Sequence, residues 1–136
     1  MTLGYIKNDG GRLQEYNLKD TKKNQVGDCV ARSIAITLKQ SYKQTLKELC
    51  QLAMQRGGMP NDRHIYDEYL FARGWKKNKP FRNANNRKLE LGDLPLQEDA
   101  LVLTSGHLTA VVDGCVQDTW DCREWCANSY YTKEKA

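Results

Sequence analysis

Apolar residues recur at helical spacing in the first half of the chain. Val30, Ile34 and Leu38 lie four residues apart, so they share one face of a helix. We expect this helix to begin at Asp28 or Cys29 and to run to about residue 39. Its apolar face is predicted to be buried against the rest of the protein.

Two more helices are predicted after the first one. The second begins at Ser41, where Gln44 three residues later completes a capping-box pattern, and it ends at a Gly-Gly pair. The third begins after Pro60, with Asn61 as its expected cap and Gly74 as its expected terminator. The helical pattern therefore covers most of the chain between the first helix and residue 74.

The last third of the chain has the pattern of strands. Residues 100–104 and 107–112 are short apolar runs, and residues 115–120 follow the second of them. Asp113 and Gly114, which lie between the last two runs, are typical of a two-residue hairpin turn. We therefore predict antiparallel strands in this part of the chain.

The N-terminal part of the sequence predicts a small hairpin. Residues 5–7 and 13–16 flank a glycine turn, and a polar linker over residues 17–24 follows. Helices followed by antiparallel strands indicate an α+β protein. We expect a single domain over residues 1–136, in which the helices pack on a C-terminal antiparallel β-sheet.

Composition is typical of a soluble globular protein, with 40% hydrophobic and 28% charged residues among 136. No apolar run approaches the roughly 20 residues of a membrane helix, and no signal peptide is visible, so a cytoplasmic location is expected. The five cysteines are odd in number and are expected to be reduced. Cys122 and Cys126 lack further Cys or His neighbours, so no metal or other cofactor is predicted.

Basic residues concentrate between positions 73 and 88. This stretch contains no acidic residue, and Trp75 and Phe81 are interleaved in it. A net charge of +4 is too small by itself to indicate a nucleic-acid-binding protein. The stretch is either a solvated loop or a surface for phosphates or an acidic partner. The candidate binding residues are Arg73, Lys76, Lys77, Lys79 and Arg82.

The predicted C-terminal hairpin places polar side chains on one face of the sheet. With a two-residue turn, His107 lies opposite Trp120 and Thr109 lies opposite Asp118. Asp118 is then the diagonal neighbour of His107, within reach of its imidazole. Asp121 would point to the other face unless the strand has ended, so Asp118 is the preferred acid.

Cys29 and His107 have the chemistry of a nucleophile and its base. A free thiol, with a pKa of about 8.5, is mostly protonated at neutral pH, and a helix N-terminus and an imidazole both favour the thiolate. The Asp118 carboxylate would orient the imidazole. Gln25 and the backbone N–H of Cys29 are the candidate oxyanion donors. Asp28 opposes thiolate formation unless it caps the helix and faces solvent.

Residues 25–29, 106–114 and 118–121 together resemble the papain-like cysteine peptidase superfamily in compact form. They are most similar to its small, uncharacterised phage and bacterial members. The resemblance covers roughly residues 20–121 and implies a papain-like fold in which the nucleophile opens the central helix. It assigns the oxyanion donor, nucleophile, base and orienting acid to Gln25, Cys29, His107 and Asp118. The chain departs from the family at Val30, where a Trp often follows the nucleophile.

Two classes of function are open. The first is a hydrolase of amide bonds in a protein or peptide, acting as a peptidase, isopeptidase or amidase, and the same residues could perform acyl transfer. The second is a non-catalytic binding or inhibitory module of phage type, which would engage a host protein or nucleic acid through the basic loop over residues 73–88. His64, the other histidine, is expected on the surface of the third helix.

Overall fold

The computed structural model of the protein describes residues 1–135 and has an α+β architecture, as the sequence predicted. Within these residues it contains α1 (Arg12–Glu15), α2 (Cys29–Leu38), α3 (Tyr42–Arg56) and α4 (Arg63–Phe71), with short 3-10 turns at Lys22–Asn24 and Leu91–Asp93. The strands are β1 (Gly4–Lys7), β2 (Trp75–Asn78), β3 (Ala100–Thr104), β4 (His107–Val112), β5 (Cys115–Asp118) and β6 (Tyr130–Lys133).

The six strands form one mixed sheet in the order β1-β5-β4-β3-β6-β2. β1 runs parallel to β5, and the other neighbouring pairs are antiparallel. The expectation of a purely antiparallel C-terminal sheet is therefore wrong in one respect. The N-terminal strand joins the sheet at its edge, beside the strand that ends at Asp118.

The predicted N-terminal hairpin is also wrong, because its second half is helix α1. The Asp9 carboxylate accepts hydrogen bonds from the backbone N–H groups of Gly11 at 2.9 Å and Leu13 at 3.0 Å, and so starts a helical turn. Gly10 and Gly11 have φ angles of 76° and 95°, which direct the chain away from β1. β1 consequently pairs with β5 instead of with residues 13–16.

Helix α2 lies across the sheet and begins at Cys29, as predicted. It packs mainly on β4 and also contacts β3 and β5. Val30 and Ile34 are buried and Leu38 is half-buried, so the apolar face predicted from the sequence is the one that meets the sheet. This packing brings the first residue of α2 over the start of β4.

The predicted caps of the next two helices are partly correct. Ser41 caps α3 by accepting a hydrogen bond from the backbone N–H of Gln44 at 3.1 Å. Asp62 occupies the N-cap position of α4, where Asn61 was expected. The Asn61 side chain instead donates to the backbone carbonyl of Gly27 at 2.9 Å, and so supports the loop that precedes Cys29.

The C-terminal hairpin has the predicted turn and register. Asp113 and Gly114 have φ angles of 54° and 74°, as a tight two-residue hairpin turn requires, and Val112 pairs with Cys115. β5 ends at Asp118, so Trp120 lies beyond the strand.

The basic stretch is not simply a solvated loop. Its first part is β2, an edge strand that pairs with β6 and buries Trp75. The Arg73 guanidinium lies 3.6 Å from the ring centre of Tyr69, and the Lys77 ammonium is 3.5 Å from the Asp67 carboxylate. The remaining candidate binding residues are exposed: Lys76, Lys79 and Arg82.

Both faces of the sheet are covered. Along β3, Leu101 and Leu103 pack in a cluster with the helices, whereas Val102 packs in a second cluster with Leu91 and Leu94. This division follows from the alternation of side chains along a strand. Among residues 1–135, none of the helices combines the length and apolar character needed to cross a membrane.

Candidate active site

Three elements place the predicted catalytic residues at one end of the sheet. Cys29 is the first residue of α2, His107 is the first residue of β4, and Asp118 is the last residue of β5. The side chain of Asp118 is 2% exposed and that of His107 is 12% exposed. The packing of α2 on β4 and β5 therefore brings the three residues together from distant parts of the chain.

The His107 imidazole is held by the Asp118 carboxylate. Its Nε2 lies 2.7 Å from Oδ2 of Asp118, and the Thr109 hydroxyl donates to the same oxygen at 2.6 Å. The other carboxylate oxygen, Oδ1, accepts from the backbone N–H of Thr119 at 2.7 Å. The diagonal contact predicted from the hairpin register is present, and hydrogen bonds fix the carboxylate in orientation as well as position.

The backbone of Asp118 is also fixed, by the N-terminal strand. Its carbonyl accepts from the backbone N–H of Asn8 at 2.9 Å and from the hydroxyl of Tyr5 at 3.1 Å. These bonds follow from the parallel pairing of β1 with β5, which the sequence analysis did not predict. The edge strand thus supports the residue that orients the imidazole.

The Cys29 thiol is half-buried and contacts the His107 imidazole. Burial raises the pKa of the thiol, but hydrogen bonds with the imidazole and with the backbone N–H of Leu108 lower it by more. The charges of His107 and Arg32 act in the same direction, so the pKa of Cys29 lies below its ordinary value. These surroundings favour a thiolate.

The imidazole has the opposite tendency. Burial lowers the pKa of His107, but hydrogen bonds with Asp118, Cys122 and Cys29 outweigh it and raise the pKa from 6.5 to about 11. Burial raises the pKa of Asp118, yet hydrogen bonds from His107 and Thr109 bring it down from 3.8 to about 2. The site therefore favours a charged imidazole beside a charged carboxylate.

The pKa shift of Asp118 has a consequence for stability in acid. Because the folded-state pKa is depressed, the carboxylate stabilises the fold above pH 3.8 and loses this contribution as the pH falls through about 2. We expect the free energy of unfolding of the wild-type protein to decline more steeply over this interval than that of Asp118→Asn. Urea denaturation at a series of pH values measures the difference, and parallel declines would contradict the assigned shift.

A buried arginine connects Cys29's helix to the strand that carries Asp118. Nη2 of Arg32 donates to Oδ1 of Asp118 at 3.0 Å, and Nη1 donates to the carboxylate of Asp28. The Tyr42 hydroxyl donates to the other oxygen of Asp28 at 3.0 Å. Asp28 makes no side-chain cap bond and is largely buried, so Arg32, not solvent, offsets its charge beside Cys29.

Cys122 contributes a second sulfur to this cluster, which the sequence analysis missed. Its Sγ lies 3.8 Å from Oδ2 of Asp118, and donor atoms of His107, Asp118 and Cys122 all lie within 4.8 Å of one another. The cluster is compatible with a Cys-His-Asp triad. The same three atoms are the available set for a metal ion, but the Arg32 guanidinium on Asp118 opposes a second cation there.

A groove of about 750 Å³ opens over the Cys29 thiol. Cys29, His107 and Gln25 line it, and the side chain of Gln25 is exposed. The Trp120 ring covers one side of the imidazole, with ring centres 5.2 Å apart, and Trp125 packs on Trp120. The first N–H groups of a helix have no acceptor within it, and Cys29 supplies the first of them in α2.

The other candidate residues lie away from this groove. Within residues 1–135, the groove lining includes none of the candidate binding residues of the basic stretch, and their role stays a prediction. Asp121 is exposed and pairs with Arg123 at 2.8 Å, so it does not orient the imidazole. His64 is exposed on α4, as predicted.

Comparison with known proteins adds no further constraint on the site. The chain matches no protein-family model and no curated protein, and its fold matches no solved structure. Function is therefore inferred from the chemistry of the residues around Cys29 and His107.

Proposed function

We propose that this protein is a cysteine-nucleophile hydrolase that acts on amide bonds. One observation carries the proposal: a thiol in an open groove contacts an imidazole, and a buried carboxylate holds that imidazole at 2.7 Å. A peptidase, an isopeptidase and an amidase all require this arrangement. The papain-like resemblance of the sequence points to the same chemistry.

In the proposed reaction the Cys29 thiolate attacks the carbonyl carbon of the amide. Asp118 occupies Nε2 of His107, which leaves Nδ1 for the thiol and for the leaving group. The oxyanion is stabilised by the backbone N–H of Cys29 and by the Gln25 amide. The imidazolium then protonates the amine as the C–N bond breaks. The resulting thioester is hydrolysed by a water molecule that His107 deprotonates.

Accessibility favours Cys29 over Cys122 as the nucleophile. Both sulfurs interact with His107, but Cys122 is 0% exposed and does not line the groove. Cys29 lines the groove and also lies at the N-terminus of α2, where the helix dipole favours a negative charge. Cys122 is then a buried packing residue behind the carboxylate.

The residues around the triad support it in two further ways. Arg32 keeps Asp118 ionised and offsets the negative charge of Asp28 next to the nucleophile. The Trp120 ring shields the hydrogen bond between His107 and Asp118 from water, which strengthens the bond because the local dielectric constant is lower.

The proposal is tested by alkylating the protein with iodoacetamide over a range of pH. We expect Cys29 to be labelled faster than the other four cysteines well below pH 8, because its lowered pKa makes the thiolate available there. His107→Ala should slow the labelling of Cys29 at low pH and shift its pH profile upward. Peptide mass spectrometry resolves the five sites.

Cys126 is the internal control, because it is exposed and should react as an ordinary thiol in both proteins. Labelling of Cys29 no faster than Cys126, with no effect of His107→Ala, would rule out an activated nucleophile. The exposed cations Lys76, Lys79 and Arg82 would then favour the alternative function, a non-catalytic binding module.

A further inference from the structure

A second cavity, of about 530 Å³, lies next to the groove that contains Cys29. The two spaces share the loop before the nucleophile, with Val26, Gly27 and Asp28 lining both. Val26 is 52% exposed on this loop. The volume lies in the range of ordinary ligand cavities, roughly 300–1,000 Å³. The apolar part of the wall consists of Tyr16, Leu18, Val26, Ala31, Leu46 and Pro60.

The polar side chains in the wall of this cavity are already engaged within the protein. The Asp28 carboxylate accepts from Arg32 and from Tyr42. Arg12 donates to the backbone carbonyl of Asn24, and Asn61 donates to that of Gly27. A polar ligand group would have to displace one of these bonds, whereas an apolar group would only displace water.

The position of His107 determines which part of a substrate faces the cavity. His107, Gly106 and Trp120 line the groove, and the cavity wall within residues 1–135 includes none of them. The imidazole protonates the leaving amine, so the leaving group lies on the His107 side of the scissile bond. The cavity lies on the other side of the nucleophile loop and therefore faces the acyl part of the substrate.

We propose that this cavity binds an apolar side chain, such as leucine or phenylalanine, on the acyl side of the scissile amide. The inference rests on the proposed hydrolase function and names the class of substrate it would take: a polypeptide with a large apolar residue close before the bond that is cleaved. Leu46, on α3, and Tyr16, on the rim, would determine this preference.

Two probes of the same thiol separate this inference from the proposed function. Iodoacetamide is too small to use the cavity and reports only the reactivity of Cys29. Dipeptidyl fluoromethyl ketones, which also alkylate the thiol, carry Gly-Gly, Leu-Gly or Gly-Leu on the acyl side. We expect one of the leucine probes to label Cys29 about tenfold faster than the Gly-Gly probe, because its side chain becomes buried.

Leu46→Gln should reduce this leucine preference, and Tyr16→Gln provides a second variant at an exposed position. Met54→Gln is the matched control, since Met54 lies on the same helix as Leu46, is 82% exposed and lines neither space. The iodoacetamide rate at Cys29 should be the same in the wild type and all three variants, which also shows that the site is correctly folded.

Rapid iodoacetamide labelling without any leucine preference would overturn the subsite and leave the hydrolase proposal intact. A preference that persists unchanged in both Leu46→Gln and Tyr16→Gln would also overturn it, because another surface would then bind the leucine. Slow labelling of wild-type Cys29 by iodoacetamide would overturn the hydrolase proposal and the subsite together.

Discussion

Alanine at position 29 should slow acyl transfer from p-nitrophenyl acetate at least about 10³-fold, because no other accessible thiol contacts His107 among residues 1–135. In the wild type, the thiolate attacks the ester carbonyl, p-nitrophenolate leaves, and an acetyl group stays on the sulfur. We expect a burst of p-nitrophenolate absorbance. Mass spectrometry should locate the acetyl group on Cys29.

Cys122→Ser is the matched control, since it changes the other sulfur that interacts with His107. The serine hydroxyl can still donate to Asp118, so this variant should keep most of the burst. A burst that survives in Cys29→Ala but disappears in Cys122→Ser would reverse the assignment of the nucleophile. Loss of the burst in both variants would show that the two sulfurs act together.

Methionine at position 32 should lower the free energy of unfolding by about 3–5 kcal/mol, because it leaves two largely buried carboxylates without their cation. The side chains of Asp28 and Asp118 are only 12% and 2% exposed, and Arg32 joins them across the helix–sheet interface. Denaturation in guanidinium chloride at neutral pH measures the loss.

Arg56→Met provides the comparison, because it removes an arginine from an exposed ion pair. Arg56 and Glu68 lie 2.7 Å apart, but their side chains are 48% and 42% exposed. The free energy of unfolding should be nearly unchanged in this variant. Equal, small losses in Arg32→Met and Arg56→Met would mean that the buried network contributes little to stability.

Local signals in the sequence predicted the central part of the fold. The spacing of Val30, Ile34 and Leu38 gave helix α2, and the Asp-Gly turn gave the register of β4 and β5. The errors concern pairing between distant segments. β1 joins β5 more than 100 residues away, and β2 joins β6, and no local pattern of apolar residues specifies such partners.

The candidate site follows the same division. Asp118 could be placed beside His107 because both lie on one hairpin, where the register fixes their faces. The role of Arg32 was missed because its partner Asp118 lies 86 positions away, and a helical arginine four residues after an aspartate usually indicates a surface pair. Cys122 was missed because it follows the end of β5, where strand geometry no longer fixes the direction of a side chain.

The parallel pairing of β1 with β5 also determines when the site can form. The first strand of the chain completes its hydrogen bonds only with a segment synthesised more than 100 residues later, and the same segment supplies Asp118. Until that segment has emerged from the ribosome, His107 has no carboxylate partner and Cys29 is an ordinary thiol. Such long-range contacts form late in folding. The reactivity of the nucleophile is thus coupled to near-completion of the chain, and incomplete chains that lack β5 are chemically inert.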